Sequence, residues 1–188
     1  PTFSLKNNND KITIGFFGLI RCNQSIKILI DLVNQTDKFN VIVYGYFLNI
    51  YEDLISKIKN HPNIFYKGQY KSPSDLEKIY KEIDISWTCY PYSTKLDGNY
   101  KYARTNRFYE AGFFNKPMIA NFSSGDARYV KDNNIGLNID LGDITESVRK
   151  IENIDNLQML FWKNSLNKMD KSFFQSSEID YFGLVSKL

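Results

Sequence analysis

The chain predicts an α/β fold, a doubly wound, mainly parallel sheet of about six strands with helices on both faces and a helical tail. Two observations carry that expectation. Short apolar runs end at turn residues, and amphipathic stretches at helical spacing lie between them, so strand and helix alternate from Ile12 to Ile139. With 188 residues, 43% of them hydrophobic and 24% charged, the chain is long enough to bury one sizeable core.

The elements follow in order. Ile12 to Phe17 is apolar and bounded by Gly18; Val41 to Tyr44 is bounded by Gly45; Ile64 to Tyr66 ends at Lys67-Gly68; Asp84 to Thr88 enters Cys89-Tyr90-Pro91. Between them, helices are expected over Ser25 to Gln35, Ile50 to Lys59 and Ser72 to Glu82. Ser72 reads as the N-cap of the third, with Pro73 in the first helical position and Asp75 placed for a capping box. After the polar loop Ser93 to Tyr102, a helix begins near Arg104 and is stopped by Asn115-Lys116-Pro117. Met118 to Asn121 restarts a strand, and Ser123-Ser124-Gly125-Asp126 opens a short helix ending near Asp132-Asn133-Asn134. Ile135 to Ile139 supplies the last strand, and Asp143 to Leu188 is mostly amphipathic helix.

Several function classes are disfavoured. A formal charge of +3, with no run of consecutive Lys or Arg, gives no nucleic-acid stripe. Cys22, Cys89 and the single His61 form no metal-ligand spacing, so no metal site is expected. Two isolated thiols suit a reducing compartment, and no apolar run reaches transmembrane length, so the expected address is cytoplasmic.

The chemistry concentrates near the expected carboxyl ends of the strands, where an open parallel sheet binds ligands. Gly18, Gly45 and Gly68 fall there and serve either as plain turns or as close approaches to a ligand. Gly15-x-x-Gly18 is not a dinucleotide fingerprint, because Gly15 lies inside the expected strand and a third Gly is missing. Arg21, ahead of the first helix, offers a fork of donors suited to phosphate, or is simply an exposed loop arginine. Lys95, Lys101, Arg104 and Arg107 outnumber Asp97 just before Glu110, which suits an anionic small molecule. Glu110 interrupts the run of Phe108, Tyr109, Ala111, Phe113 and Phe114, and a carboxylate there must be hydrogen-bonded, solvated or in contact with a ligand. Asn106 lies four residues before it and Arg107 three before it, on one helix face. Glu110 then either accepts ligand hydroxyls or pairs with Arg107. Tyr70, Tyr90 and Tyr92 are candidates to flank a base or sugar.

From Lys11 to Ile139 these residues resemble the carboxy-terminal domain of GT-B fold glycosyltransferases, especially the retaining group that uses nucleotide-diphosphate sugars. The resemblance lies in Phe17-Gly18-Leu19-Ile20-Arg21, Val41-Ile42-Val43-Tyr44-Gly45, Ile64-Phe65-Tyr66-Lys67-Gly68 and Ile83-Asp84-Ile85-Ser86. Its most specific part is Asn106-Arg107-Phe108-Tyr109-Glu110-Ala111, then Lys116-Pro117-Met118-Ile119-Ala120, Gly125 and Gly136. It implies a Rossmann-like donor-binding domain over residues 1–142, with helices 143–188 packed on it. It further implies Glu110 on the nucleotide ribose, Arg21 on the diphosphate, and Gly68-Gln69-Tyr70 at the base, with Gly18, Asn106 and Arg107 in the same site. Arg21 and Glu110 become the candidates for catalysis.

Two positions depart from the pattern of that group. Tyr102 stands where an earlier glutamate is usual, and Gln24, or at best Lys27, where a first-loop lysine is usual. The resemblance implies no cofactor or metal beyond the nucleotide-sugar donor. It also implies a glycan or lipid-linked acceptor, held by an amino-terminal domain that this chain lacks, and leaves the inner face of a membrane open as a peripheral address of the full protein. A noncatalytic nucleotide-binding or assembly module, or part of a sugar-nucleotide epimerase, remain the competing readings.

Overall fold

The computed structural model describes residues 11–89 and 104–175. Six parallel strands form one sheet: β1 (Ile12–Ile20), β2 (Phe39–Phe47), β3 (Ile64–Tyr66), β4 (Ile85–Trp87), β5 (Met118–Asn121) and β6 (Gly136–Ile139). Their order is β3-β2-β1-β4-β5-β6. The chain runs outward from β1 to one edge, returns to β4 beside it and runs outward again, so the switch point lies between β1 and β4. The helices are α1 (Asn23–Gln35), α2 (Glu52–Asn60), α3 (Leu76–Lys81), α4 (Asn106–Phe113), α5 (Gly125–Asp132), α6 (Ile144–Glu152) and α7 (Asn156–Lys168). A 3-10 turn, Lys171–Phe174, follows.

Both faces of the sheet are covered, so its strands are apolar on both sides. Successive residues alternate between two cores: Phe16, Val41, Val43 and Ile119 join one with Ile26, Leu54, Ile151 and Trp162 of α1, α2, α6 and α7. Phe17, Ile42, Met118 and Ala120 join the other with Ile79 and Tyr80 of α3, Phe108 of α4, Val130 of α5 and Phe174 of the final turn.

Of the boundaries that differ from the sequence expectation, three have a clear physical cause. The ladder between β1 and β2 does not stop at the glycines. Gly18 pairs with Gly45, and pairing continues to Ile20 and Phe47. Both have positive φ, +91° and +133°, and a Cβ on Gly45 would sit 1.8 Å from the Gly18 carbonyl oxygen. The glycines therefore permit a close crossing inside the strands rather than ending them. The third helix starts at Leu76, not Ser72. Asp75 Oδ2 accepts from the Lys71 N–H at 2.8 Å, closing a turn over residues 72–75 instead of capping a helix. The first helix starts earlier, at Asn23, because Cys22 caps it, its Sγ accepting from Ser25 N at 3.4 Å.

The helix ends follow the expected signals. Asn115 and Asn134 take left-handed φ values of 55° and 53°. Beyond them Lys116 N bonds to Ala111 O and Ile135 N to Val130 O, which closes α4 and α5 ahead of the next strands.

Candidate functional site

Where β1 and β4 part, a cleft of about 340 Å³ opens at the carboxyl ends of the strands. One wall is Phe17, Gly18 and Leu19 with Arg21; another is Tyr70 and Ser72; the third is the start of α4, from Arg104 through Arg107, with Glu110 one turn on. Six of the expected site residues meet here: Gly18, Arg21, Tyr70, Asn106, Arg107 and Glu110. Gly68 and Gln69 do not line it. Gly68 accepts from Gly45 N at 2.7 Å, and Gln69 is exposed. Tyr90, Tyr92, Lys95, Asp97, Lys101 and Tyr102 lie outside the described residues.

Arg107 is placed by backbone. Its two terminal nitrogens donate to Phe17 O at 2.7 Å and Cys89 O at 3.2 Å, so its fork spans the gap between β1 and the residues after β4. No Arg107–Glu110 ion pair forms among the described residues. Glu110 instead accepts from Tyr80 Oη at 3.0 Å. Burial raises the pKa of Glu110, opposed by the Tyr80 hydrogen bond and the Arg107 charge. Tyr70 is raised by its own burial and then by the Glu110 charge. The arginine expected to face charged oxygen alongside Arg107 is engaged elsewhere on its planar face: the Arg104 guanidinium lies 4.6 Å from the Tyr129 ring centre, 5.3 Å from Phe173 and 5.4 Å from Phe108.

Two helix amino ends border the cleft. α1 starts just after Arg21, and α4 starts in the wall itself with Thr105 as its N-cap, Oγ1 accepting from Phe108 N at 3.1 Å. First-turn amides and three arginines make this end of the sheet favourable to an anion, with Glu110 as the one carboxylate in the wall among the described residues. Among the described residues, no group of three His, Cys, Asp or Glu side chains is placed to hold a metal ion. Cys22 and Cys89 are buried and form no disulfide with each other.

A larger groove of about 1440 Å³ shares Glu110 and runs along Tyr80, Tyr109, Phe113 and Phe174 toward Lys116, at the amino-terminal side of the sheet. It lacks Arg21 and both helix starts, so the smaller cleft is the better anion site. Sequence reasoning missed Tyr80 and Asp126. Tyr80 was visible only as one apolar position of an expected helix. Asp126 was read as part of a helix start, yet it is fully buried, with its carboxylate on Thr105 N at 3.2 and 3.1 Å. The signal for Thr105 was available, a Thr just before the apolar periodicity of α4.

No protein-family model matches the chain. The succinoglycan biosynthesis protein ExoL of Rhizobium meliloti (strain 1021) is 26% identical over 133 residues, covering 70% of this chain and 32% of that protein. The chain thus spans about a third of the length of that curated relative. Among solved structures, the C-terminal domain of the glycosyl transferase group 1 family protein LpcC from Francisella tularensis superposes with a TM-score of 0.64 at 14% identity, over 88% of this chain and 87% of that one. Anabaena HepE, in complex with UDP and glucose, gives 0.66 at 16% identity over 95% of this chain and 49% of its own. Staphylococcus aureus TarM gives 0.60 at 14% over 92% and 36%. The chain has the fold of the carboxy-terminal domain of GT-B glycosyltransferases.

Proposed function

We propose that this chain is the donor-binding domain of a glycosyltransferase, holding a nucleotide-diphosphate sugar whose sugar passes to a glycan or lipid-linked acceptor. The observation that carries the reading is a half-buried carboxylate, Glu110, in the same cleft as Arg21 and the start of α4, with α1 beginning two residues after Arg21. A nucleotide-diphosphate sugar has that pairing of needs: two phosphates to be met by cations and amides, and a ribose diol to be met by a carboxylate. HepE has been solved with UDP-glucose, and TarM with UDP, Fondaparinux and alpha-GlcNAc-glycerol, which supports the donor class and a glycan acceptor for this chain.

In this reading Glu110 accepts hydrogen bonds from the ribose hydroxyls, oriented by Tyr80. Arg21 and the α1 start stabilise the diphosphate as it leaves, where charge develops in the transition state. Arg107 holds β1 and β4 at the separation the diphosphate needs, and Tyr70 flanks the nucleoside, next to Gly68 and Gln69 on the base side. Residues 1–142 form the donor unit and 143–188 its packed helices. The acceptor is aligned by an amino-terminal domain, and without that second wall the orientation required for transfer is lost. Among the described residues no helix is long and apolar enough to cross a membrane; a cytoplasmic address, at the membrane face for a lipid-linked acceptor, belongs to this proposal.

Calorimetry with UDP and UDP-glucose tests it. The chain binds both weakly; Arg21→Ala weakens UDP by about 1–3 kcal/mol, as expected for charge-assisted bonds. Glu110→Gln weakens both while the fold persists. Undiminished affinity in both variants rejects the site. Transfer is negligible for the chain alone and appears when it is joined to its natural amino-terminal neighbour; robust acceptor glycosylation by the 188-residue chain alone overturns the division of labour.

A further inference from the structure

We propose that Asp126 is a positioning residue for the donor cleft, its buried carboxylate fixing the amino end of α4 through Thr105 and so aiming Asn106, Arg107 and Glu110. Asp126 is the second residue of α5, following the Ser124 cap, and its relative exposure is 0%. Both oxygens reach the Thr105 N–H, at 3.2 and 3.1 Å. Thr105 is itself the cap of α4, its hydroxyl accepting from Phe108 N at 3.1 Å and donating to Thr88 O at 3.5 Å. One peptide unit is thus tied to α5, to α4 and to the end of β4, and the cleft residues follow it directly in the chain.

The chemistry of the acceptor matters. An ionised carboxylate offers two charged acceptors to that N–H, whereas its protonated form or an amide keeps one neutral carbonyl acceptor and places a donor on the other atom. The Thr105 N–H that Asp126 accepts favours its ionisation, as do the charged groups facing it, Arg107 and Arg104, and the Cys89 thiol lies beside them. Burial opposes them and brings the Asp126 pKa to about 6. The hold on α4 is therefore stronger in neutral solution and slackens in mild acid. What the cleft binds rests on the donor reading; the Asp126–Thr105 contact does not.

Two measurements on the full chain decide it. In the ligand-free protein, the Thr105 backbone amide resonance is followed from about pH 5 to about pH 8. It moves with a midpoint near 6, and the movement is absent in Asp126→Asn; a Thr105 resonance unmoved across that range overturns the proposal. UDP-glucose, whose phosphates carry constant charge over the same range, is then titrated calorimetrically. Affinity rises about fivefold from the acid to the neutral end, as expected for the difference between a charge-assisted and a neutral hydrogen bond, and Asp126→Asn reduces the rise to the share that Glu110 ionisation contributes. Equal affinity at both ends, or a rise undiminished in Asp126→Asn, refutes the positioning role. No binding at any pH strikes the donor reading instead and leaves the Thr105 resonance to decide Asp126.

Discussion

The hydroxyl of Tyr80 donates to Oε2 of Glu110 across 3.0 Å, while Oε1 takes no protein hydrogen bond among the described residues. The phenol cannot drift. It is fully buried, with the Phe17 ring edge-on at 5.1 Å and Phe114 stacked at 4.9 Å. Packing on α3 thereby sets the direction of a carboxylate on α4.

Tyr80→Phe keeps the ring and removes the donor. Glu110 then loses the bond that restrains its pKa, so its carboxyl titrates higher still, and the protein loses about 1–2 kcal/mol of stability. Carbon-detected NMR titration of Glu110 with urea unfolding checks both; an unchanged Glu110 titration contradicts the coupling.

Arg107→Lys tests the brace across the sheet. A lysine is a single point of charge and cannot reach the Phe17 and Cys89 carbonyls together with a planar fork. At least one charge-assisted bond is lost, costing about 1.5–3 kcal/mol in urea unfolding. Wild-type stability in this variant means that the two carbonyls are satisfied without the fork.

Acid and neutral stability should differ through Asp126. Its folded pKa of about 6 lies above the ordinary 3.8, so between those values the folded state holds a proton that the unfolded state has released. The contribution is fully present below the lower value and lost as pH rises through the upper one, a change of about 3 kcal/mol. Glu110, also raised by burial, acts in the same direction. The stability of wild type minus that of Asp126→Asn should therefore fall from pH ~4 to pH ~7 in chemical unfolding. A difference that is flat or rises with pH contradicts the raised pKa. A buried charge retained at a cost to stability fits a residue kept for what it positions.

Gly45→Ala should be among the most damaging small substitutions. Its Cβ would fall 1.8 Å from the Gly18 carbonyl oxygen at a φ of +133°, against backbone in the middle of the β1–β2 ladder. A loss above about 3 kcal/mol, or failure to fold, is expected. Gly68→Ala, with nothing within 4 Å of the new atom but a φ of +78°, should cost less when the two variants are compared by thermal unfolding. Equal losses at the two glycines would show that conformation rather than crowding dominates.

The order of elements was legible because short continuous apolar runs and period-3.6 apolar patterns report burial one element at a time. Asn115 could be read as a stop for α4 for the same local reason. What could not be read was any feature decided between elements. Gly18 looks like a terminator in isolation, and only its register opposite Gly45 keeps the ladder running. Glu110 was singled out as a carboxylate needing an explanation, but whether Arg107 or Tyr80 supplies its partner depends on how α3 packs against α4. Asp75 satisfied the spacing of a capping box and spent its carboxylate on Lys71 instead. Asp126 carried no local mark at all, since its burial is created by the cap of a different helix.

The long strands of this sheet lie inside it, and its rims are β3, three residues, and β6, four. A rim that short offers an approaching chain only a couple of main-chain hydrogen bonds, too few to template another strand. Growth of the sheet by edge addition, the usual route from an open parallel sheet to ordered aggregates, is thereby blunted at both ends. Among the described residues, assembly of this domain with another polypeptide then falls to side chains on its helices and loops, where surface substitutions can tune it without disturbing the ladder beneath.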